Sequence, residues 1–322
     1  MNVLYILGNG FDKAMGMNTS YPEFYQYLMG NTENCSDLMQ QLKRDIKADK
    51  KLWSDMEIAF GQFTSKMKTA DELEKLYFEL SDKLQHYLQE EENAFNPDKY
   101  KHKFIADFIS PSKYMGATDR LRYGSFHKMV GMGCDISVMT LNYTNTLEKL
   151  LSLDNSNDRR IDVNNYFRQV IHLHGRLGES IIIGVDNEEQ IANKELRNNE
   201  DVRDFLIKVQ SNNTMKQTRH RTCEELISKA NLVILYGVSL GDTDARWWKL
   251  LGDQFKKRNT ISIVQHLYMP DAITPTRQQL LGRIERKQRN CIMEKMGIKK
   301  EEWPDDTIDR LYFITNSGAF TI

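Results

Sequence analysis

The sequence predicts an α/β protein with a mainly parallel β-sheet, helices on both faces of the sheet and a large all-helical insertion. Three observations favour this fold class. Short apolar runs recur along the chain and are continuous rather than alternating, which indicates strands that are buried on both faces. Helical segments separate most of these runs, as in sheets built from β-α-β units. One long segment shows the helical period alone.

Seven apolar runs are the predicted strands. Each is rich in Val, Ile or Leu and is bounded by turn-forming residues. In chain order the runs are Val3–Leu7, Ile136–Leu141, Gln169–Leu173, Ile181–Val185, Leu232–Tyr236, Ile261–Leu267 and Leu311–Thr315. The first run lacks a basic flank and a small-residue cleavage site, so we interpret it as a strand and not as a signal peptide.

Helical periodicity extends from Tyr21 to Met132, with charged residues between the apolar ones. We therefore expect a core formed by residues 1–20 and 133–322, and a helical module inserted over residues 21–132. A smaller polar helical region is expected over Asn187–Lys229. The charge-rich stretch Arg283–Glu302 is expected to be a solvated helix, and contact with a partner is the alternative.

Composition excludes several classes of protein. The 322 residues carry 44 Lys+Arg and 45 Asp+Glu, for a net charge of -1 and a pI of about 6.7. A dedicated nucleic-acid binder would be strongly basic, so nucleic acid is not expected as a direct substrate. The four cysteines form no C-x-x-C pair and no apolar run is long enough to span a bilayer. These features indicate a reduced, cytoplasmic protein without a membrane anchor.

A glycine motif follows the first predicted strand. Gly8, Asn9 and Gly10 lie between the strand and a helix, where backbone amides can cradle a phosphate. The third glycine of the dinucleotide-binding pattern is replaced by Lys13. An ordinary strand–turn–helix connection is therefore the alternative.

Two further motifs follow predicted strands and place polar side chains at strand ends. Asn142 follows the second strand and could orient a water or hold a sugar hydroxyl, although an Asn here could equally cap the next helix. His172 and His174 form an H-x-H-G motif. A zinc site would need further ligands, and no H-E-x-x-H is present, so no metal is expected. One histidine is expected to act on a ligand, and a structural role is the alternative for the other.

The fourth motif runs from Gly237 to Asp244 and contains the G-x-S-x-G pattern of serine hydrolases around Ser239. A serine hydrolase would also need a histidine later in the chain. His266 is the only one, and it lies inside an apolar run. A polar loop that offers Ser239 and nearby carboxylates to ribose hydroxyls is the preferred interpretation.

In this order the four motifs resemble the sirtuin-type nicotinamide-nucleotide-binding fold and, within it, the AbiH family of bacterial phage abortive-infection proteins. The family-like combination is G-N-G-F-D, L-N-Y-T-N-T, H-x-H-G and G-x-S-L-G-x-T-D. The segments that match sirtuin motifs are Gly8, Gly10 and Gly16, Pro22–Phe24, Thr140–Asn142, Asn145–Glu148, His174 with Gly175, and Gly237–Leu240. Tyr25 and Val238 depart from the sirtuin pattern, and the four-cysteine zinc module is missing, so protein deacylation is not expected.

The resemblance implies a defence protein that hydrolyses the nicotinamide–ribose bond of NAD and depletes it. The amides of Gly8 and Gly10 would then hold the pyrophosphate. Asn142 would position the ribose or water, and His174 would act as general base. The expected nucleotide-binding residues are Gly8, Asn9, Gly10, Asp12, Gly237, Ser239 and Asp242, with Asp244 as the alternative carboxylate and helix capping as the alternative for Asp12.

Two other functions stay open. The fold could sense NAD or an ADP-ribose-type nucleotide without cleaving it, and act through a partner defence protein or a homo-oligomer. A serine hydrolase that uses Ser239 is the third and least favoured interpretation.

Overall fold

Six strands form one parallel β-sheet in the computed structural model of the protein, which describes residues 1–31, 35–130, 133–152, 160–271 and 273–321. The strands are β1 (Asn2–Leu7), β2 (Cys134–Thr140), β3 (Asn165–His172), β4 (Leu232–Tyr236), β5 (Ser262–Leu267) and β6 (Leu311–Thr315). Their order across the sheet is β3-β2-β1-β4-β5-β6, and every neighbouring pair is parallel. The predicted parallel sheet is therefore confirmed, and β1 lies at its centre.

Helices make up most of the remaining described chain. They are α1 (Gly10–Ala14), α2 (Tyr21–Gly30), α3 (Asp37–Ala48), α4 (Met56–Phe63), α5 (Ala70–Ala94), α6 (Lys101–Phe108), α7 (Ala117–Val130), α8 (Thr146–Leu151), α9 (Lys194–Arg197), α10 (Glu200–Leu206), α11 (Lys208–Thr214), α12 (Arg219–Lys229), α13 (Ala245–Lys257), α14 (Leu281–Lys295) and α15 (Thr307–Arg310). Within the described ranges, none of them is both long and apolar enough to cross a membrane.

Both faces of the sheet are buried, which explains why the strands are continuously apolar. Because successive side chains on a strand point to opposite faces, β1 contributes Tyr5 to one core and Leu4 to the other. The first core contains Phe104 of α6 and Tyr123 of α7. The second contains Trp248 of α13, together with residues of α12 and α14.

A third core lies outside the sheet and joins the helical segment to a later part of the chain. Helices α2 to α5 pack there against residues 177–207, with Trp53 and Phe60 among the fully buried side chains. The predicted helical character of this segment is confirmed, while Met132 lies outside the described residues. The later helices of this segment, α6 and α7, pack on the sheet and not in the third core. The division of the chain into a core and an inserted module stays a prediction.

The predicted strand Ile181–Val185 is wrong, because this segment does not join the sheet. The turn at Gly175, with φ of +84°, leads the chain away from the edge strand β3. The Ile182 amide then donates to the His174 carbonyl at 2.8 Å, and Val185 pairs with residues of α10 and α11. The segment is apolar because it is buried in the third core, and burial alone does not distinguish a strand from an extended loop. The predicted helices over 187–229 and 283–302 are confirmed in their main parts.

The loops that follow β1 and β4 touch through their backbones at the centre of the sheet. The Gly8 amide donates to the Tyr236 carbonyl and the Gly10 amide to the Gly237 carbonyl, both at 3.0 Å. Gly237 has φ of +66°, and a Cβ there would lie 2.5 Å from the Phe11 nitrogen. Glycine is therefore required at this contact by both conformation and space.

We expect Gly237→Ala to lower the free energy of unfolding by roughly 1–3 kcal/mol or more, because it combines a strained φ with a backbone clash. The matched control is Gly124→Ala in α7, where an added Cβ meets no atom within 4 Å. That change should raise stability by up to about 1 kcal/mol through helix propensity. Urea unfolding of both variants measures the difference, and equal stabilities would contradict the assigned constraint.

Candidate functional site

A cleft of about 550 Å³ opens at the carboxyl ends of the central strands. It lies where the chain order across the sheet reverses, between β1 and β4, which is the usual ligand position in open α/β sheets. The sequence-predicted residues that line it are Gly8, Asn9, Asp12, Asn142, His174, Gly237, Ser239, Asp242 and Asp244. Four motifs that are far apart in the sequence therefore meet at one site. Gly10 is not part of the lining and packs against Gly237.

The helical segment forms the opposite wall of the cleft. Its lining residues are Thr19–Pro22 at the start of α2, Ser54, Asp55 and Glu57 at the start of α4, and Leu84 and Leu88 of α5. Sequence reasoning missed this wall, because no local motif distinguishes these positions from ordinary helix termini and core residues.

The expected phosphate cradle of Gly8 and Gly10 is wrong as far as their amides are concerned. Both amides already donate to backbone carbonyls of the loop after β4. The glycines bring two loops into contact, and they do not present free donors to the cleft. The following helix α1 has only five residues and therefore contributes little dipole at this position.

Asn142 ties the ends of three strands together. Its side-chain amide donates to the Gly8 carbonyl at 3.2 Å, and its own carbonyl faces Nδ1 of His172 at 2.9 Å. The cap position of α8 belongs to Asn145, so Asn142 is not a helix cap. Asn142 lines the cleft.

His172 and His174 have different environments. The second ring nitrogen of His172 lies 2.7 Å from Oε1 of Glu148, so both of its nitrogens have partners and the residue is structural. His174 is 3% exposed and lines the cleft. Its Nε2 lies 3.1 Å from Oδ1 of Asp244, while Nδ1 has no partner in the described part of the chain.

The contact between Nε2 of His174 and Asp244 is short, but the two groups are not aligned as a hydrogen bond. Catalytic hydrogen bonds are often misaligned before a ligand binds. The pair therefore has the composition of a base and its orienting carboxylate, with Nδ1 left for a ligand.

Asp244 is held by a buried cation that sequence reasoning also missed. Nζ of Lys208 lies 3.0 Å from Oδ1 of Asp244 and 2.7 Å from Oε2 of Glu57. Burial alone would raise the pKa of Asp244, but Lys208 and His174 hold it well below its usual range. Burial alone would lower the pKa of Lys208, but the carboxylates of Asp244 and Glu57 raise it. The pKa of Glu57 is raised by its burial. Lys208 and Asp244 are therefore charged at neutral pH.

Asp242, the other predicted carboxylate of this loop, lies at the rim. Its side chain is 70% exposed and contacts Nζ of Lys295 at 2.6 Å. The sequence left open which of Asp12, Asp242 and Asp244 contacts a ligand, and that stays a prediction. In the structure Asp244 is the carboxylate of this loop that contacts His174.

Asp12 is a buried carboxylate in the cleft and is only 1% exposed. Its Oδ2 accepts a hydrogen bond of 2.6 Å from Thr144, while Oδ1 has no partner among the residues that the structure describes. Burial raises the pKa of Asp12 to about 6, although the hydrogen bond from Thr144 opposes the shift. Asp12 can therefore exchange a proton near neutral pH.

Within the described residues, Ser239 makes no hydrogen bond to a histidine that could activate it as a hydrolase nucleophile. It is exposed, the strained positions are its neighbours Gly237 and Leu240, and a short 3-10 helix precedes α13. His266 instead contacts the Ser317 hydroxyl at 3.1 Å, and burial lowers its pKa to about 4. The cleft therefore offers Ser239 as a hydroxyl for ligand contact.

The charge of the cleft restricts its ligands. Five lining side chains are carboxylates and one is an ammonium: Asp12, Asp55, Glu57, Asp242 and Asp244 against Lys295. Lys208 pairs with Glu57 and Asp244, and Lys295 pairs with Asp242. The negative charge without a cation partner in the described chain is therefore that of Asp12 and Asp55. This charge favours cationic groups and hydroxyl donors over anions. In the described ranges, no three His, Cys, Asp or Glu side chains are grouped as metal ligands, and the absence of a metal cofactor stays a prediction.

The fold and the cleft define an open parallel α/β protein with a candidate ligand site at the reversal of strand order. The family model described as "Bacteriophage abortive infection AbiH" matches residues 4–266, which span β1 to β5, and the chain belongs to this family. The family indicates a role in defence against phage by abortive infection. None of the curated proteins compared with the chain matches it.

We expect Asp12→Asn to flatten the dependence of stability on pH. Because the pKa of Asp12 rises from 3.8 to about 6 on folding, its stabilising contribution is complete below pH 4 and is lost as the pH rises through 6. As the pH rises, the free energy of unfolding of the wild type should fall relative to that of Asp12→Asn, by about 3 kcal/mol at most. Unfolding curves between pH 4 and 7 measure it. The control Asp82→Asn, on the exposed side of α5, should follow the wild type.

Proposed function

We propose that the cleft binds NAD and hydrolyses the bond between nicotinamide and ribose, so that the protein acts in abortive infection by depleting NAD. The observation that carries this proposal is a pair of unsatisfied groups in the cleft. Oδ1 of Asp12 and Nδ1 of His174 are buried and without partners in the described chain. Both can accept a hydrogen bond, and the hydroxyls of a ribose would supply the missing donors.

The architecture supports a dinucleotide as the ligand. The strand order is that of doubly wound dinucleotide-binding sheets, and the cleft lies at their binding position. A volume of about 550 Å³ is within the usual range for ligand pockets, roughly 300–1,000 Å³. The likeness to sirtuins in the four sequence motifs adds to this proposal.

The acidic lining supports cleavage at the nicotinamide end. Nicotinamide in NAD carries a positive charge, and the ribose becomes cation-like in the transition state of glycosidic cleavage. The carboxylates of Asp12 and Asp244 would stabilise that charge. Nicotinamide would leave with the electron pair of the C–N bond, the oxygen of water would bond to the ribose carbon, and His174 would accept the proton of the water.

The phosphates of NAD need a different anchor from the one that the sequence predicted. Since the amides of Gly8 and Gly10 are occupied, we assign the phosphates to the rim, where Lys295 is the ammonium of the lining. Binding would require Lys295 to exchange its contact with Asp242 for the ligand. Ser239 and Asn9 would then lie between the two ends of the ligand.

Binding without cleavage is the second candidate function. The misaligned contact between His174 and Asp244 favours it, since a base without its orienting partner is a poor catalyst. In that case the protein would sense a nucleotide and pass the signal to a partner. Titration calorimetry with NAD, combined with chromatography of released nicotinamide, separates the two functions.

We expect His174→Ala to lower the rate of nicotinamide release by about 10²–10⁴-fold, because it removes the general base. The matched control is His102→Ala on α6, whose side chain is exposed and outside the cleft. Release is measured with purified protein and NAD, and the melting temperature shows whether each variant is folded. Full activity of a folded His174→Ala protein would move the chemistry to other residues.

We expect Asn142→Ala to lower both the rate and the stability. The variant loses a positioning group, and it also leaves the Gly8 carbonyl without its side-chain donor. The stability loss should be on the order of 1 kcal/mol, and it is measured by urea unfolding. An unchanged rate in Asn142→Ala would exclude the residue from the site.

A further inference from the structure

Lys208 is buried behind the cleft and does not line it. Its ammonium contacts Oε2 of Glu57 at 2.7 Å, the Thr243 carbonyl at 3.0 Å and Oδ1 of Asp244 at 3.0 Å. An ammonium has three N–H donors, so these three acceptors use all of them. Two of the three belong to the loop that carries Asp244, and the third belongs to α4.

The main chain of Lys208 is fixed relative to the segment that follows His174. The Lys208 amide donates to the Val185 carbonyl at 3.0 Å, and the Val185 amide donates to the Leu206 carbonyl at 2.7 Å. An added Cβ at Gly184 would lie 2.3 Å from the Leu206 carbonyl oxygen, so the two backbones are in close contact. The position of the ammonium is therefore set by the same segment that supports His174.

A buried ion network of this kind is a poor device for stability. The cost of removing its charges from water is large, and apolar side chains of similar size often serve equally well. What the network does supply is a defined position for each charged group. Here the group with a function in the cleft is Asp244, which contacts His174.

We propose that Lys208 and Glu57 are positioning residues for His174. Lys208 holds the Asp244 carboxylate at Nε2 of His174, and Glu57 holds Lys208 in place from α4. The inference rests on the proposed function for its kinetic readout only. It follows that the helical segment controls the geometry of the base, because a displacement of α4 separates Glu57 from Lys208.

The test compares four variants of the full chain with the wild type. Lys208→Met and Glu57→Met remove one partner each, and Glu57→Gln keeps an acceptor oxygen and serves as the conservative rescue. The matched control is Lys103→Met, which takes one cation from the buried Asp107 at a position outside the cleft. The readouts are the ¹⁵N chemical shifts of the His174 ring and the kcat and KM of nicotinamide release.

We expect the wild-type ring to carry its proton on Nε2, opposite Asp244. Lys208→Met and Glu57→Met should shift both ring nitrogens and lower kcat by about 10²-fold. In Lys208→Met, whose site lies outside the cleft lining, KM should stay within about twofold. Glu57→Gln keeps the acceptor but not the charge, and it should lie closer to the wild type than Glu57→Met in both readouts. Lys103→Met should lower stability without moving the His174 signals.

Unchanged His174 signals in a folded Lys208→Met protein would overturn the proposal, as would equal shifts in Lys103→Met. If Lys208→Met does not fold, the test rests on Glu57→Met. Wild-type His174 signals in that variant would then overturn the proposal. If the wild type releases no nicotinamide, the proposed function fails. The nitrogen shifts would still show whether Lys208 and Glu57 position the ring.

Discussion

The backbone contact between the loops after β1 and β4 determines the rest of the site. The strand order reverses between β1 and β4: β2 and β3 lie on one side of β1, and β4 to β6 lie on the other. The helices that follow β1 and β4 lie on opposite faces of the sheet. Two parallel strands that separate in this way normally leave a gap between their loops. Here the amides of Gly8 and Gly10 donate to the carbonyls of Tyr236 and Gly237, and these hydrogen bonds close the gap beneath the cleft. Asn142 extends this contact to the next strand through its bond to Gly8.

The sheet could be predicted from sequence, and so could the part of the site that the loops after β1, β2, β3 and β4 form. Both depend on local sequence patterns. A continuous apolar run followed by a polar motif identifies a buried strand and its carboxyl end, and four such ends converge in the cleft. The same rule failed at Ile181–Val185, where the apolar run is buried against helices and does not pair with a strand. It also misassigned the amides of Gly8 and Gly10, since a glycine motif looks the same whether it faces a phosphate or another loop.

The rest of the site had no signal in the sequence. Glu57 and Lys208 are single charged residues among apolar neighbours on short helices, and such residues are usually solvated. Their burial arises only because α4 and α11 meet in three dimensions, 151 residues apart in the chain. The pairing of His174 with Asp244 rather than with Asp242 has the same origin. One turn of 3-10 helix decides which carboxylate faces inward, and nothing in the two side chains distinguishes them.

The third core has a consequence for how the protein is made. Helices α2 to α5 cannot complete their packing until residues 177–207 have been synthesised, because Tyr77 bonds to the backbone of Ile183, 106 residues later. Contacts this distant in sequence form late in folding, and an emerging chain has no access to them. Most of the chain must therefore have left the ribosome before the cleft is assembled with its helical wall, Lys208 and Asp244. A chain that ends before residue 208 would contain the glycine loop and both histidines without Lys208, Asp244 and the closed cleft.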